Sequence, residues 1–125
     1  MKRILLTFAL VAVAAISAAC STAAAKPVAS GAVADGPTVV AKDLKFAPAT
    51  VEVKAGENFT LHFDNQDSAP HNVAIFTDSS ASTPVSVGEI VSATKADQLV
   101  PALQPGSYFF RCDVHRDMTG TIVAK

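Results

Sequence analysis

The 125-residue chain has little sulfur, no tryptophan and no cluster of charge of one sign. It contains two cysteines and two methionines, one of which is the initiator. Lys and Arg number 10 and Asp and Glu 11, which leaves a formal net charge of −1. Nucleic-acid-binding domains usually carry a basic patch or run, and none is present, so we expect no nucleic-acid partner. With one of the two cysteines at Cys20, near the N-terminus, a framework of several disulfides is also excluded.

The first 20 residues have the composition of an export signal. Two basic residues, Lys2 and Arg3, precede an apolar run over 4–16, and small residues follow. This order is typical of a secretory signal peptide, and the run is shorter than the roughly 20 apolar residues that span a bilayer. We therefore expect 1–20 to be a signal peptide and the mature protein to be exported. Retention of this segment as an anchor helix is the alternative.

Signal cleavage has two candidate positions. The segment SAAC, which ends at Cys20, is similar to a bacterial lipoprotein box, in which the cysteine is acylated and becomes the new N-terminus. Ser17 stands where such boxes prefer Leu, and cleavage after an Ala-x-Ala pattern, for example after Ala25, is the alternative. We favour the lipoprotein interpretation, because a lone cysteine directly after small residues has few other uses. It predicts lipidation at Cys20, a membrane association through that lipid, and a location in the periplasm or on the outer face of the membrane.

The remainder of the chain divides into a linker and one domain of short strands. Residues 21–37 are mainly Ala, Ser, Gly and Pro, which is typical of a flexible linker. Over 38–125, alternating apolar and polar residues separated by turn residues predict strands and no helix, hence an all-β sandwich or barrel. The predicted strands are TVVAKDLKF, ATVEVKAGE, NFTLHFDN, HNVAIF, GSYFFRC and TGTIVAK. The segment 77–98 predicts only a long connection, with a short strand near 87–91.

The segment RCDVHRDMTG brings three metal-binding side-chain types together. Cys112, His115 and Met118 are each separated by two residues, and Cys112 ends a predicted strand on the same face as Phe110. Cys112 is therefore expected to face the core near the end of the sandwich, with His115 and Met118 on the following loop. An unpaired thiol in an oxidising compartment is a liability unless something occupies it, which points to a metal.

The types of donor favour copper over zinc. Structural zinc sites take four strong ligands and rarely include methionine. A thiolate, two imidazoles and a weak axial thioether describe a type 1 copper centre, which requires a second histidine. His71 begins an apolar strand, where it can meet the C-terminal loop, whereas His62 lies on the polar face of a strand and is expected at the surface. We therefore favour His71, and the alternative for Met118 is a core residue that fills space without a metal.

The two ligand segments, PHNV and PGSYFFRCDVHRDMTG, resemble those of the cupredoxins, the blue copper proteins. The upstream LKFAPATVEVKAGENFTLHFDNQDSAPHNV is similar to the N-terminal half of plastocyanin-like and amicyanin-like domains. The resemblance covers 38–125 and is weakest across 77–95. It implies a cupredoxin-like Greek-key β-sandwich that binds one copper ion as Cu(I) or Cu(II). Tyr108 resembles the tyrosine of a Greek-key corner in this fold.

Carried over by position, the resemblance implies the ligand set and one supporting residue. The equatorial ligands become His71, Cys112 and His115, and the axial ligand becomes Met118. Asn72 matches the family residue that ties the two ligand loops together and hydrogen-bonds near the cysteine sulfur. Contacts of this kind around the ligands tune a metal's reduction potential.

Two departures from the plastocyanin pattern surround His115. Asp113 and Val114 fill the step between the cysteine and this histidine, where plastocyanins commonly have a proline. Arg116 and Asp117 follow it, so the surface beside the copper is charged where the photosynthetic carrier has an apolar docking patch. The spacing to the methionine is short, as in amicyanin. We therefore carry no docking partner over from those proteins.

The donor set and the resemblance together imply an electron carrier that is not an enzyme. No open coordination position is evident, so we expect a mononuclear type 1 copper protein, a monomer, that exchanges electrons with redox protein partners outside the cytoplasm. In the family, electrons pass through the exposed edge of the C-terminal histidine, here His115. A copper-sequestering or copper-delivery protein of the cell envelope is the alternative, and a metal-free sandwich used for adhesion or interaction is a third. A two-copper oxidase-type centre is excluded, because it needs a second cysteine in the ligand loop.

Overall fold

Nine β-strands account for most of the domain. The structure is a computed structural model, and it describes residues 33–125. The strands are β1 (Ala34–Lys42), β2 (Lys45–Ala47), β3 (Thr50–Val53), β4 (Phe59–Asn65), β5 (Ala74–Phe76), β6 (Pro84–Val87), β7 (Lys95–Val100), β8 (Gly106–Arg111) and β9 (Thr119–Ala124). Within 33–125 there is no helix long and apolar enough to cross a membrane.

The strands form two sheets that face each other across one core. One sheet has the order β2-β1-β4-β7 and the other has the order β3-β9-β8-β5-β6. β1 runs parallel to β4 and β3 parallel to β9, while the remaining neighbours are antiparallel. The hydroxyl of Tyr108 donates to the carbonyl of Gln104 at 3.0 Å, the contact made by the tyrosine of a Greek-key corner. The all-β sandwich predicted from the sequence is confirmed.

Alternating apolar side chains from both sheets close the core. In β4, Phe59, Leu61 and Phe63 are buried, and the residues between them are half-buried on the opposite face. Phe110 of β8 is fully buried on the facing sheet. The ring of Phe46 lies between the two sheets, with its centroid 6.3 Å from that of Phe63 and 5.3 Å from that of Phe110. These contacts join the two sheets across the core.

The first strand begins before the predicted end of the linker. The sequence predicts a linker over 21–37, but β1 starts at Ala34. Ala34 is opposite Phe59 in the parallel ladder, and its N–H donates to the carbonyl of Asn58 at 2.8 Å. A distant strand supplies this pairing, so local composition does not reveal it. Residues 1–32, with the predicted signal peptide and Cys20, lie outside the described residues.

The segment 77–98 contains more strand than the sequence predicts. The short strand expected near 87–91 lies earlier, at β6, where it pairs with β5. The sequence does not predict β7, which pairs with β4 and completes the edge of its sheet. Two positions in β7 do not follow hydrophobicity, because polar Gln98 is buried and Leu99 is 63 % exposed. The usual alternation of apolar and polar residues is therefore broken at these two positions.

A tight hairpin divides the predicted strand TVVAKDLKF into β1 and β2. The two strands are antiparallel and are joined by Asp43 and Leu44, with φ angles of 53° and 57°. Two central residues with positive φ are typical of a type I′ turn. The backbone N–H groups of both residues donate to the carboxylate of Asp67, at 2.9 and 3.2 Å. This turn lies beside the candidate metal centre.

Candidate metal centre

The candidate ligands come from two neighbouring parts of one sheet. His71 precedes β5, Cys112 follows β8, and the loop from β8 to β9 carries His115 and Met118. Because β5 and β8 are paired antiparallel strands, the start of one lies beside the end of the other. The segment before His71 and the loop after Cys112 therefore meet at the same end of the sandwich.

Three of the four predicted ligands form a compact cluster. The candidate ligand atoms of His71, Cys112 and His115 all lie within 4.8 Å of one another. The Sγ atom of Cys112 is 3.7 Å from Nδ1 of His71, and the two histidine Nδ1 atoms are 3.0 Å apart. Among residues 33–125, this is the one group of three or more His, Cys, Asp or Glu residues with such proximity. Both imidazoles thus present the same ring nitrogen to one point.

Burial separates one histidine from the other candidate ligands. His71 and Cys112 are fully buried and Met118 is 2 % exposed, whereas His115 is half-buried. The loop closes on itself: the N–H of Cys112 donates to the carbonyl of Met118 at 3.0 Å, and the N–H of Met118 donates to the carbonyl of His115 at 2.9 Å. These bonds close the loop, in which the thioether residue is buried and the histidine is half-buried.

The side chain of Asn72 ties the two ligand segments together. Its Oδ1 accepts the backbone N–H of Asp113 at 2.8 Å, and its Nδ2 donates to the Asp113 carboxylate at 3.0 Å and to the Gly88 carbonyl at 3.2 Å. The hydrogen bond to the Cys112 sulfur comes from another group, the backbone N–H of His115 at 3.4 Å. Asn72 therefore joins the loops, while the histidine's own backbone contacts the sulfur.

Asp67 contacts a candidate ligand, and the sequence pattern does not reveal it. Its Oδ2 lies 3.1 Å from Nε2 of His71. The backbone N–H groups of Asp43 and Leu44 hold the pKa of Asp67 below its usual range, and the contact with His71 acts in the same direction. An ionised carboxylate only accepts hydrogen bonds, so this contact favours the His71 tautomer that has its proton on Nε2 and its lone pair on Nδ1, the nitrogen nearer Cys112. A carboxylate in a polar loop gives no signal of this contact in the sequence.

His62 lies away from the cluster, on the outer face of the four-stranded sheet. Its Nε2 is 2.7 Å from Oδ1 of Asp35 in β1, and its Nδ1 is 2.7 Å from Oδ1 of Asp97 in β7. The hydrogen bond to Asp35 and then that to Asp97 raise the pKa of His62 above its usual 6.5. The sequence predicts a surface histidine at this position, and the structure places it at the surface with two carboxylate partners.

Comparison with known proteins assigns the family. A model of the cupredoxin-like domain matches residues 7–124. The chain belongs to the cupredoxins. No functionally curated protein sequence matches this cupredoxin.

Solved blue copper proteins share the fold of this cupredoxin. Auracyanin A of Chloroflexus aurantiacus, described as a "blue" copper protein, superposes with a TM-score of 0.64 at 18 % identity, over 72 % of this chain and 100 % of that one. Auracyanin of Roseiflexus castenholzii gives 0.64 at 15 % identity, over 74 % and 98 %. Amicyanin of Paracoccus versutus gives 0.57 at 25 % identity, over 72 % and 81 %.

The donor set of this cupredoxin fits one copper ion. A thiol and a thioether are soft donors, and their combination with two imidazoles is typical of a type 1 copper site. A structural zinc site would use a fourth strong ligand in place of methionine. The carboxylate behind His71 also fits a metal site, because ligating histidines usually donate their second ring N–H to such a group.

Proposed function

We propose that this cupredoxin is a mononuclear type 1 copper protein that carries electrons outside the cytoplasm. Its equatorial ligands are His71, Cys112 and His115, and its axial ligand is Met118. The observation that carries the proposal is the convergence of two imidazoles and a buried thiol, with ligand atoms within 4.8 Å of one another. The description of the structural neighbour auracyanin A as a blue copper protein supports it.

The protein's contribution to electron transfer is a rigid set of ligand positions. Copper, when bound, supplies a one-electron centre that alternates between Cu(I) and Cu(II). The N–H of His71 donates to the carbonyl of Val91 at 3.0 Å, and the reverse bond is 2.9 Å long. The N–H of Cys112 makes one backbone hydrogen bond, to the carbonyl of Met118. A rigid frame gives both oxidation states the same ligand positions, so little rearrangement accompanies each transfer.

The path of the electron is proposed from burial. His115 is half-buried, whereas the other three ligands are at most 2 % exposed. We therefore propose that electrons enter and leave through the exposed edge of His115, in contact with redox protein partners. No catalytic step is proposed, because four ligands would leave a bound copper ion no open coordination position for a substrate.

Copper sequestration or delivery in the cell envelope is the second candidate function. It would use the same donors, but a delivery site has to release the metal to an acceptor. The burial of His71, Cys112 and Met118 favours retention of the metal over exchange. We therefore favour the electron carrier.

Titration of the purified mature protein with Cu(II) tests the proposal. We expect an intense visible absorption band from thiolate-to-copper charge transfer and reversible one-electron reduction. Cys112→Ser and His71→Ala should abolish the band, and His62→Ala, the matched control, should retain it. A wild-type protein without the band would favour the metal-free sandwich. Loss of the band in His62→Ala but not in His71→Ala would show that the wrong histidine was chosen.

A competition experiment separates the two copper functions. The copper-loaded protein is mixed with a Cu(I) chelator, and copper transfer is followed together with cyclic voltammetry. An electron carrier should retain its copper through repeated redox cycles. Rapid transfer to the chelator without reversible voltammetry would favour the delivery protein.

A further inference from the structure

Asp67 makes contacts on three sides with a single carboxylate. Its Oδ2 is 3.1 Å from Nε2 of His71, and the same oxygen accepts the N–H of Leu44 at 3.2 Å. Its Oδ1 accepts the N–H of Asp43 at 2.9 Å. The side chain is 17 % exposed. The carboxylate thus links the turn between β1 and β2 to a fully buried candidate ligand.

The backbone around Asp67 is also fixed. Its N–H donates to Oδ1 of Asn65 at 2.9 Å, and its carbonyl accepts the N–H of Ala93 at 2.9 Å. The side-chain amide of Asn65, which is 1 % exposed, donates to the carbonyl of Val91 at 2.7 Å. Val91 is in turn the backbone partner of His71. The carboxylate and the imidazole are therefore held by the same buried amide, which fixes their relative position.

The turn whose N–H groups donate hydrogen bonds to Asp67 has an unfavourable backbone conformation. Asp43 and Leu44 both have positive φ, which a residue with a bulky side chain such as leucine rarely adopts. Backbone in a rarely populated region persists where the surrounding structure fixes it, and such positions cluster at functional sites. Here the two N–H groups are directed at the carboxylate that contacts His71.

We propose that Asp67 is a positioning residue for the copper site. It holds the proton of His71 on Nε2, keeps Nδ1 directed at the metal position, and makes the imidazole a stronger donor through its negative charge. A stronger donor favours Cu(II) over Cu(I), so Asp67 lowers the reduction potential. This role of Asp67 rests on the proposed copper function. It goes beyond holding the turn between β1 and β2, because it includes an effect on the metal through His71.

Asp67→Asn tests the effect on the metal. Asn keeps one of the two acceptor oxygens, while an NH₂ group replaces the other and the negative charge is lost. Substitutions of residues that contact metal ligands typically cost roughly 10–100-fold in affinity. We expect at least a ~10-fold loss of Cu(II) affinity relative to Cu(I), which is a rise of about 59 mV in reduction potential.

Asp117→Asn is the matched control for the loss of charge. Asp117 is exposed in the ligand loop between His115 and Met118, and the same substitution there removes the same charge. We expect a smaller rise in potential in this variant. Equal potentials in Asp67→Asn and Asp117→Asn would overturn the proposal, because Asp67 would then act only as one charge near the metal.

A measurement on the metal-free protein tests the same contact independently. The ¹⁵N NMR shifts of the His71 ring report which nitrogen carries the proton. We expect the Nε2–H tautomer in the wild type and a mixture of tautomers in Asp67→Ala. A wild-type protein with the proton on Nδ1 would overturn the proposal, and this result needs no variant to fold.

The outcomes distinguish this proposal from the proposed function. A wild-type protein without a charge-transfer band would overturn the copper function, and the role of Asp67 with it. A blue wild-type protein in which Asp67→Asn leaves the potential unchanged would overturn only the role of Asp67.

Discussion

At the scale of single residues, the four proposed ligands differ in what they contribute. In the proposed type 1 site, Cys112 and the two histidines would supply the strong bonds, and Met118 would be the weak axial donor. Met118 is 2 % exposed, so leucine can occupy its position at nearly the same volume. The residue therefore offers a substitution that changes the metal's electronics and leaves the packing nearly unchanged.

Met118→Leu should keep the blue colour and raise the reduction potential. The colour depends on the Cys112 thiolate, which stays in place, while loss of the thioether removes a donor that stabilises Cu(II). A ~10-fold change in the ratio of Cu(II) to Cu(I) affinity would raise the potential by about 59 mV. Voltammetry of wild type and variant measures it. An unchanged potential would show that Met118 fills space and is not an axial ligand.

The sequence predicts the residues of the site more completely than the contacts between them. The four candidate ligands are recognisable because their donor types are rare in the chain. Three of them, Cys112, His115 and Met118, are also close in sequence, whereas His71 is distant. Asp67 is not recognisable, because an Asp in a polar loop is usually solvated. Its role appears only when the loop folds back and the turn of β1 and β2 supplies two N–H groups.

At the scale of structural elements, the hairpin of β1 and β2 places a leucine in an unfavourable conformation. Leu44 has φ of 57° and is 54 % exposed. Left-handed backbone costs about 1–2 kcal/mol for most residues with a side chain, and Asn tolerates this conformation better than they do. Leu44→Asn should therefore raise the free energy of unfolding by about 1 kcal/mol, measured by urea denaturation.

Leu99→Asn is the matched control for this prediction. Leu99 is also exposed, but it lies in the extended backbone of β7, where Asn is disfavoured. We expect no stabilisation in this variant. If both variants changed stability equally, the effect of Leu44→Asn would come from the loss of an exposed apolar side chain and not from the turn.

His62 connects three strands of one sheet and should make stability depend on pH. It lies in β4, and its ring contacts Asp35 of β1 and Asp97 of β7, which raise its pKa. A raised pKa in the folded state means that the protonated histidine is stabilised by folding. This contribution is fully present below the usual pKa of about 6.5 and is lost as the pH rises through the higher folded-state pKa.

Unfolding of wild type and His62→Gln at two pH values measures this effect. We expect the wild type to exceed the variant in stability by more at pH ~5.5 than at pH ~8.5, because the contribution is lost as the pH rises through the raised pKa of folded His62. The ring is partly exposed, so solvent screening keeps the difference small. The same difference at both pH values would show that the carboxylates do not hold a protonated His62.

The strands differ in how far the sequence predicts them. β4 is predicted well, since Phe59, Leu61 and Phe63 alternate with polar residues and fill the core. β7 is not predicted, because polar Gln98 occupies one of its buried positions and Leu99 one of its exposed positions. Its conformation comes from pairing with β4, a contact with a distant part of the chain that no local pattern contains.

At the scale of the whole molecule, the proposed lipid at Cys20 would determine whether the protein is attached to the membrane or soluble. Cys20→Ser should move the protein from the membrane fraction to the soluble fraction, because acylation needs the thiol. Fractionation of cells followed by mass spectrometry of the mature N-terminus measures both location and modification. A wild-type N-terminus that begins after Ala25, without a lipid, would show that ordinary signal cleavage occurs.

The two ends of β1 lie at opposite ends of the domain. The chain enters at Ala34, and β1 ends at the turn of Asp43 and Leu44, which contacts Asp67 behind His71. The nine residues of β1 span roughly 30 Å at about 3.3 Å per residue. If Cys20 carries a lipid, the domain would be attached to the membrane at the end opposite the candidate metal centre. The imidazole edge of His115 would then face away from the bilayer, where redox partners can reach it.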